Sequence, residues 1–321
     1  MSRRTDIPAF FTPWWLERVR AGHVLVRNPR NASQVLHVSL RPDDVHAVVY
    51  WSRDYGNLLP HLAELDERGL KPCFHLTLTG CGPPLEAQGP PVPTIINQLE
   101  QLARRYSPRR LVWRYDPIVL GTKHDERHHD ALFAALAREI APLVDECIVS
   151  FLDPYPSTRR ELAKISDSTG EVFGAPRLVQ RRALVMRLRD TAARLDLPLR
   201  ACCEAELEDL LPRARCIDPD RIRDFAGEAL GVFRVAPTRK GCGCVHARDV
   251  GAYHTCARGC AYCYANESPE RGQRGADAVQ SHANHLGPGQ LQPSRVAAQS
   301  RQLTPVTDDL ADRLGLGSPR R

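Results

Sequence analysis

Short apolar runs at 47–51, 73–78, 111–115, 147–152 and 198–203 recur every few tens of residues, and longer stretches of helical periodicity separate them. A strand that is followed by a helix and then by another strand pairs most simply in parallel, because the helix carries the chain back to the starting end of the sheet. The intervening helices are expected at 57–68, stopped by Gly69, at 94–106 with Ile95, Ile96, Leu99 and Leu102 on one face, at 126–144 and at 176–195. Upstream, Thr12-Pro13 opens a helix with Trp14, Leu16 and Val19 as apolar positions, and Gly22 closes it. Strands at 24–27 and 35–39 then flank the turn-rich Asn28-Pro29-Arg30-Asn31. Five strand–helix units are too few for a closed eight-strand barrel. The expected fold is therefore α/β, a partial or irregular (β/α) barrel over 1–235. A cysteine-rich segment at 236–270 packs on it, and a mostly disordered tail spans 271–321, with a short helix near 307–314.

Of the 321 residues 42% are apolar, enough for a sizeable core, and no run approaches the roughly 18 apolar residues of a membrane span. Arg3-Arg4 is not followed by an apolar stretch of the kind an export signal needs, so a cytoplasmic location is expected. There the eleven cysteines, an odd number, are more simply free or metal-bound than paired. The net charge of +6 comes from 44 basic residues, of which only Lys71, Lys123, Lys164 and Lys240 are lysine. No basic stripe with interleaved aromatics accompanies it, which leaves nucleic acid unsupported as a partner.

The strand candidates end in residues able to do chemistry: Trp51-Ser52-Arg53, Thr77 and Thr79, Arg114-Tyr115-Asp116, Ser150 and Asp153, and Cys202-Cys203-Glu204. The carboxyl ends of parallel strands form the functional face of such folds, which makes Arg114, Asp116, Asp153 and Glu204 candidate substrate or cofactor contacts. The bland alternative is that polar residues mark where strands meet solvent. Arg3, Arg4 and Asp6 precede the first helix and either bind a carboxylate or phosphate of a cofactor or form a structural Arg–Asp pair. His128 and His129, adjacent on a helix, point in different directions and read as a solvated face. Cys73, Cys81 and Cys147 read as small buried residues.

The segment 241–264 holds five of the cysteines. Cys256, Cys260 and Cys263 have C-x3-C-x2-C spacing with Tyr262 directly before the last, and short intervals on a glycine-containing loop let three thiolates converge on one cluster. Structural zinc, closed by Cys242, Cys244 or His254, is the competing reading, although only Cys260–Cys263 has the usual zinc-knuckle interval. Cys242, Cys244, Cys202 and Cys216 form a second, weaker set for an auxiliary Fe–S cluster or zinc, against the alternative that they are simply buried.

The run CARGCAYC at 256–263 resembles the cysteine signature of the radical S-adenosylmethionine superfamily. Over a longer stretch the chain resembles an uncharacterised prokaryotic domain-of-unknown-function family with a C-terminal, radical-SAM-like cysteine cluster. That likeness rests on SRRTDIPAFF (2–11), LVRNP (25–29), VSLRPDDV (38–45), LTLTG (76–80), WRYDPI (113–118), VSFLD (149–153), CID (216–218) and GCGCVHARDVGAYHTCARGCAYCYAN (241–266). Relatives begin with a few apolar residues before the SRRTD stretch, so the expectation is that this chain either lacks part of a first strand or has a misassigned start.

The superfamily resemblance implies a [4Fe–4S] cluster on Cys256, Cys260 and Cys263, with the fourth iron open to S-adenosylmethionine. Tyr262, Arg3, Arg4 and Asp6 would contact that cofactor, and ferredoxin or flavodoxin would donate electrons. Two departures stand out: the motif lies near the end of the chain instead of after a first barrel strand, and no Gly-Gly-Glu-like stretch is present. The implied function is a radical-SAM-like iron–sulfur enzyme of unassigned substrate, with a DNA-lesion lyase like spore photoproduct lyase as an analogy only. The alternatives are a zinc-organised binding module that recognises nucleic acid and an electron-transfer protein that does not use the cofactor.

Overall fold

A computed structural model of the chain describes residues 1–29, 31–227, 230–291 and 296–297. The chain opens with α1 (Ile7–Phe10) and α2 (Thr12–Ala21), then the antiparallel pair β1 (His23–Asn28) and β2 (Asn31–Ser39). Phe11 is the N-cap of α2, whereas Thr12 lies inside it and donates to the Pro8 carbonyl at 2.8 Å; Gly22, left-handed at φ 71°, ends the helix. The alternating region follows as β3 (Val48–Ser52), α3 (Leu62–Glu67), β4 (Pro72–Thr77), α4 (Val92–Arg105), β5 (Leu111–Ile118), α5 (Glu126–Ile140), β6 (Glu146–Phe151), α6 (Pro156–Thr169), α7 (Leu178–Ala193) and β7 (Leu199–Ala201). Then come α8 (Pro219–Ala226), α9 (Pro269–Asp277) and the two-residue β8 (Val296–Ala297), which pairs in parallel with β2.

Strands β3 to β7 form one parallel sheet in chain order, the winding of a (β/α) barrel. Among the described residues it stays open, with no closed barrel. Register assigns alternate residues to the two faces. Tyr50, Phe74, Trp113, Tyr115, Val149 and Ala201 point toward the main core, where Trp14, Trp15, Leu99, Phe133 and Leu184 cover them. Val49, Cys73, Val112 and Ile148 lie on the other face, against Cys202, Ala214, Cys216, Ile217, Ile222, Cys244 and Val245. Residues 202–203, 214–226 and 230–245 thus cover the second face, with α8 as their one helix among the described residues. Arg221 of α8 fastens this layer, pairing with Glu146 at 2.7 Å and Asp145 at 2.8 Å and donating to the Arg109 carbonyl.

The expected α/β class with an incomplete parallel sheet is found, as five strands with no closed barrel among the described residues. Two expectations need correction. Residues 271–291, assigned to a mostly disordered tail, carry most of α9 and a packed segment in which Trp14 Nε1 donates to the Ala283 carbonyl at 2.9 Å and Leu286 joins the main core. The expected helix near 307–314 lies outside the described residues. Finally, His129 does not face solvent: it is fully buried, with Nε2 2.9 Å from the Val119 carbonyl and Nδ1 2.6 Å from the Tyr115 hydroxyl.

A carbonyl only accepts, so Nε2 carries the proton and Nδ1 accepts from Tyr115. Burial lowers His129 to about 4, while the bond to Val119 pushes the other way. As pH falls, the unfolded chain takes up this proton near the ordinary value of about 6.5 and the folded chain only near 4. Stability of about 3 kcal/mol is therefore lost between those limits. His129→Gln, which does not titrate, should lose less of its urea midpoint than the wild type between pH 7 and pH 4.5. Parallel acid profiles would overturn the assignment.

Candidate functional site

The loop that carries Cys256, Cys260 and Cys263 crosses the carboxyl ends of β3 and β4. Glu86 forms a β-bridge with Cys260, and Ala261 N donates to the Leu85 carbonyl at 2.9 Å. Glu86, on the loop after β4, accepts from Thr79, from the Tyr262 hydroxyl and from Arg53 just past β3; Arg53 also donates to Tyr262. Burial raises the Glu86 carboxyl, but Arg53 and the hydroxyl donors outweigh it and hold Glu86 below the ordinary range. Beside this group Arg258 donates to Asp6 at 3.2 Å, and Asp6 also accepts from Ser52 Oγ at 2.6 Å. Burial raises the Asp6 carboxyl against the pull of Arg258.

The loop is pinned from outside by α9. Asn266 Nδ2 donates to the Cys256 carbonyl at 2.7 Å. A Cβ on Gly272 would lie 2.5 Å from that same oxygen, and one on Gly275 would lie 1.7 Å from the His254 carbonyl. Glycine is required at these helix positions because backbone lies where a side chain would go. Cys256, Cys260 and Cys263 interact electrostatically along the loop but make no thiol–thiol hydrogen bond with one another. Burial pushes Cys256 up to about 12 and Cys260 up to about 11, and it raises Cys263 as well. A cation that binds them must displace their protons.

A second cysteine group lies on the sheet's other face. Cys202 Sγ is 3.8 Å from Cys203 Sγ and 3.8 Å from Cys216 Sγ, and Cys244 and Cys242 pack in the same cluster. All eleven cysteines are free. Hydrogen bonds from Cys202 and Cys244, assisted by Arg114, hold the Cys216 thiol well below its ordinary value. The bond from Cys202, helped by Arg239 against burial, lowers Cys203 to about 6. Among the described residues no three His, Cys, Asp or Glu side chains surround a common point as a finished metal shell.

The other candidates cluster at the same strand ends, each with an internal partner. Arg114 donates to Asp116 and, at 2.9 Å, to Cys216; Asp116 also accepts from Ser150. Asp153 pairs with Arg239. Glu204 accepts from Phe151 N at 2.8 Å and lies 3.3 Å from Arg181. Arg4 pairs with Asp249 at 3.0 Å, and Arg3 lies over the Trp51 ring at 5.0 Å. Tyr264, half-exposed beside Tyr155, donates to the Arg3 carbonyl at 2.5 Å. Sequence reasoning missed Glu86, Arg258, Arg239 and His75. Glu86 lies in a proline-rich loop with no motif, and the contacts of Arg258 and Arg239 span 252 and 86 residues, so neither had a local signal.

Residues 1–265 match the domain of unknown function DUF1848. The chain belongs to the DUF1848 family. No curated protein and no solved structure is significantly similar to it. The DUF1848 match ends just past Cys263, so it covers both cysteine groups and the whole parallel sheet, while α9 lies beyond it. Among the described residues no helix is long and apolar enough to cross a membrane.

Alanine usually stabilises a helix by about 1 kcal/mol over glycine. Gly275→Ala should do the opposite, lowering the melting temperature and speeding alkylation of Cys256, whereas Gln273→Ala on the exposed face should leave both nearly unchanged. A more stable Gly275→Ala variant would show that α9 does not hold the loop.

Proposed function

We propose that this chain is an iron–sulfur enzyme of the radical S-adenosylmethionine type, with Cys256, Cys260 and Cys263 as cluster ligands and an unassigned substrate. One observation carries the reading: three free thiols share a short loop over the carboxyl ends of a parallel sheet, with no hydrogen bond between them. Each would bind a different iron of a [4Fe–4S] cluster, and three cysteines leave one iron for an exchangeable ligand. When bound, such a cluster supplies an electron that cleaves the sulfonium of S-adenosylmethionine and so starts hydrogen abstraction from a substrate.

The remaining roles belong to the chain's own side chains. Burial of Arg53, Glu86 and Tyr262 beneath the loop excludes water and fixes the position of Cys260. Arg258 and Asp6 do the same beside Cys256. Arg3 carries a buried Nη2 with no partner and Arg258 a buried Nε with none, so donors remain beside the loop for an anionic group such as a carboxylate. Arg4 and Asp249 shape the same edge. Arg114, Asp116, Asp153 and Glu204 are the polar residues from which substrate contacts would be drawn. Ferredoxin or flavodoxin is the class of partner required to reduce the cluster. Zinc in the same loop is the weaker reading, since His254 Nδ1 already accepts from Glu267 N at 3.1 Å.

Anaerobically purified protein should contain iron and acid-labile sulfide, Cys260→Ala should lose them, and dithionite with S-adenosylmethionine should yield 5′-deoxyadenosine. A fully loaded cluster that yields none would reduce the reading to electron transfer, and zinc in place of iron on these three cysteines would overturn it.

A further inference from the structure

The second cysteine group has a different geometry from the first, and the difference identifies what it holds. Four thiolates bound tetrahedrally to one zinc, with bonds of about 2.3 Å, stand about 3.8 Å apart. Thiolates on a [4Fe–4S] cluster each take a different iron and stand well apart instead. Cys202 lies 3.8 Å from both Cys203 and Cys216, and Cys244 is buried in the same cluster as Cys202 and Cys216. We propose that Cys202, Cys203, Cys216 and Cys244 bind a single tetrahedral cation, zinc, distinct from the cluster on the Cys256 loop and independent of whether that loop binds iron.

Three further observations bear on this site. Cys203 has a left-handed backbone, φ 61°, which a residue other than glycine rarely adopts, and the turn brings its sulfur alongside that of Cys202. Zinc with four thiolates carries two net negative charges, and the surroundings supply cations: Arg114 Nη1 donates to Cys216 Sγ at 2.9 Å, and Arg239 Nη2 lies 4.0 Å from Cys202 Sγ. His75, only 1% exposed, shares the sheet face with Cys73 and lies within electrostatic reach of Cys216, and neither of its ring nitrogens has a partner. An unpaired imidazole at that depth is costly, and a thiolate shell with spare acceptor capacity is the neighbour that would accept its proton. The contacts run as a line of sulfurs and do not yet surround one point; rotation of the short cysteine side chains is the movement that would close them into a shell.

The site would fasten the cover of the sheet. Cys202 follows β7, Cys216 precedes α8, and Cys244 lies on the return segment where Ala236 N donates to the Cys244 carbonyl at 3.0 Å. One ion would therefore tie three separate passes of an otherwise irregular layer.

The test is metal and sulfide analysis of the full chain purified anaerobically, with X-ray absorption at the zinc edge. About one zinc per chain with about four sulfur neighbours near 2.3 Å is expected. Cys216→Ser should lose the zinc and keep the iron and sulfide, whereas Cys260→Ala should do the reverse. Cys242→Ser should retain the zinc; its loss there with retention in Cys203→Ser would overturn Cys203 as the fourth ligand. If Cys216→Ser does not fold, the absorption spectrum of the wild type still decides. No zinc, zinc with nitrogen or oxygen neighbours, or iron and sulfide enough for about two cubes per chain would overturn the proposal.

Discussion

A parallel sheet cannot leave either face to water, because its strands are hydrophobic on both sides. Most of this molecule follows from how that requirement is met. On one face α2, α4, α5 and α7 supply Trp14, Trp15, Leu99, Phe133 and Leu184. The opposite face, which a closed barrel would bury against its own strands, is covered by the irregular stretches 214–226 and 230–245 together with Cys202 and Cys203. An irregular cover has few backbone hydrogen bonds of its own and depends on side chains to fix it. Arg221 does this at one edge through Glu146 and Asp145, and the cysteine group does it at the other.

The same logic of fixing by polar side chains governs the motif loop. Removing Arg53 and Glu86 from water costs several kcal/mol per ion, and their mutual attraction together with the bonds from Thr79 and Tyr262 offsets this. Such a group adds little net stability but admits few arrangements of the loop, since a displaced Tyr262 leaves a buried charge short of a partner. The N-terminus is drawn into the same network. Thr5 bonds to Thr255 at 2.6 Å and to the Ala252 carbonyl at 2.7 Å, and Met1 O accepts from Val250 N at 3.0 Å. The first residues of the chain and the cysteine loop are thus one structural unit despite some 250 intervening positions.

The sheet was legible in the sequence because its strands are short, apolar and regularly spaced, and β3 to β6 fall within a few residues of the runs that announced them. The placement of polar residues at the carboxyl ends was legible for the same reason. Helix α6 was not: Leu162 and Ile165 are its main apolar positions, and its other surface is charged. Helix α9 was read as tail because its sequence is polar and holds Gly272 and Gly275, residues that weaken a helix in isolation and here allow backbone to approach it. His129 was misplaced for a related reason. Polarity suggested solvent, whereas Tyr115 and Val119 satisfy both ring nitrogens in the core. Contacts such as Asp6–Arg258 and Asp153–Arg239 join residues with no shared local pattern, and only the fold brings them together.

The surroundings of the two cysteine groups differ in a way that spacing along the chain does not reveal. Burial is what raises Cys256 and Cys260, and the nearby cations are already engaged, Arg53 with Glu86 and Arg258 with Asp6. Around Cys216 the thiols divide. Hydrogen bonds from neighbouring cysteines lower Cys216 and Cys203 while Cys202 and Cys244 are raised, and Arg114 serves both Asp116 and the Cys216 sulfur as Arg239 serves both Asp153 and the Cys202–Cys203 turn. Coordination at either group would require its thiols to lose their protons, and at the second group guanidinium donors already reach sulfur, Arg114 to Cys216 and Arg239 to Cys202.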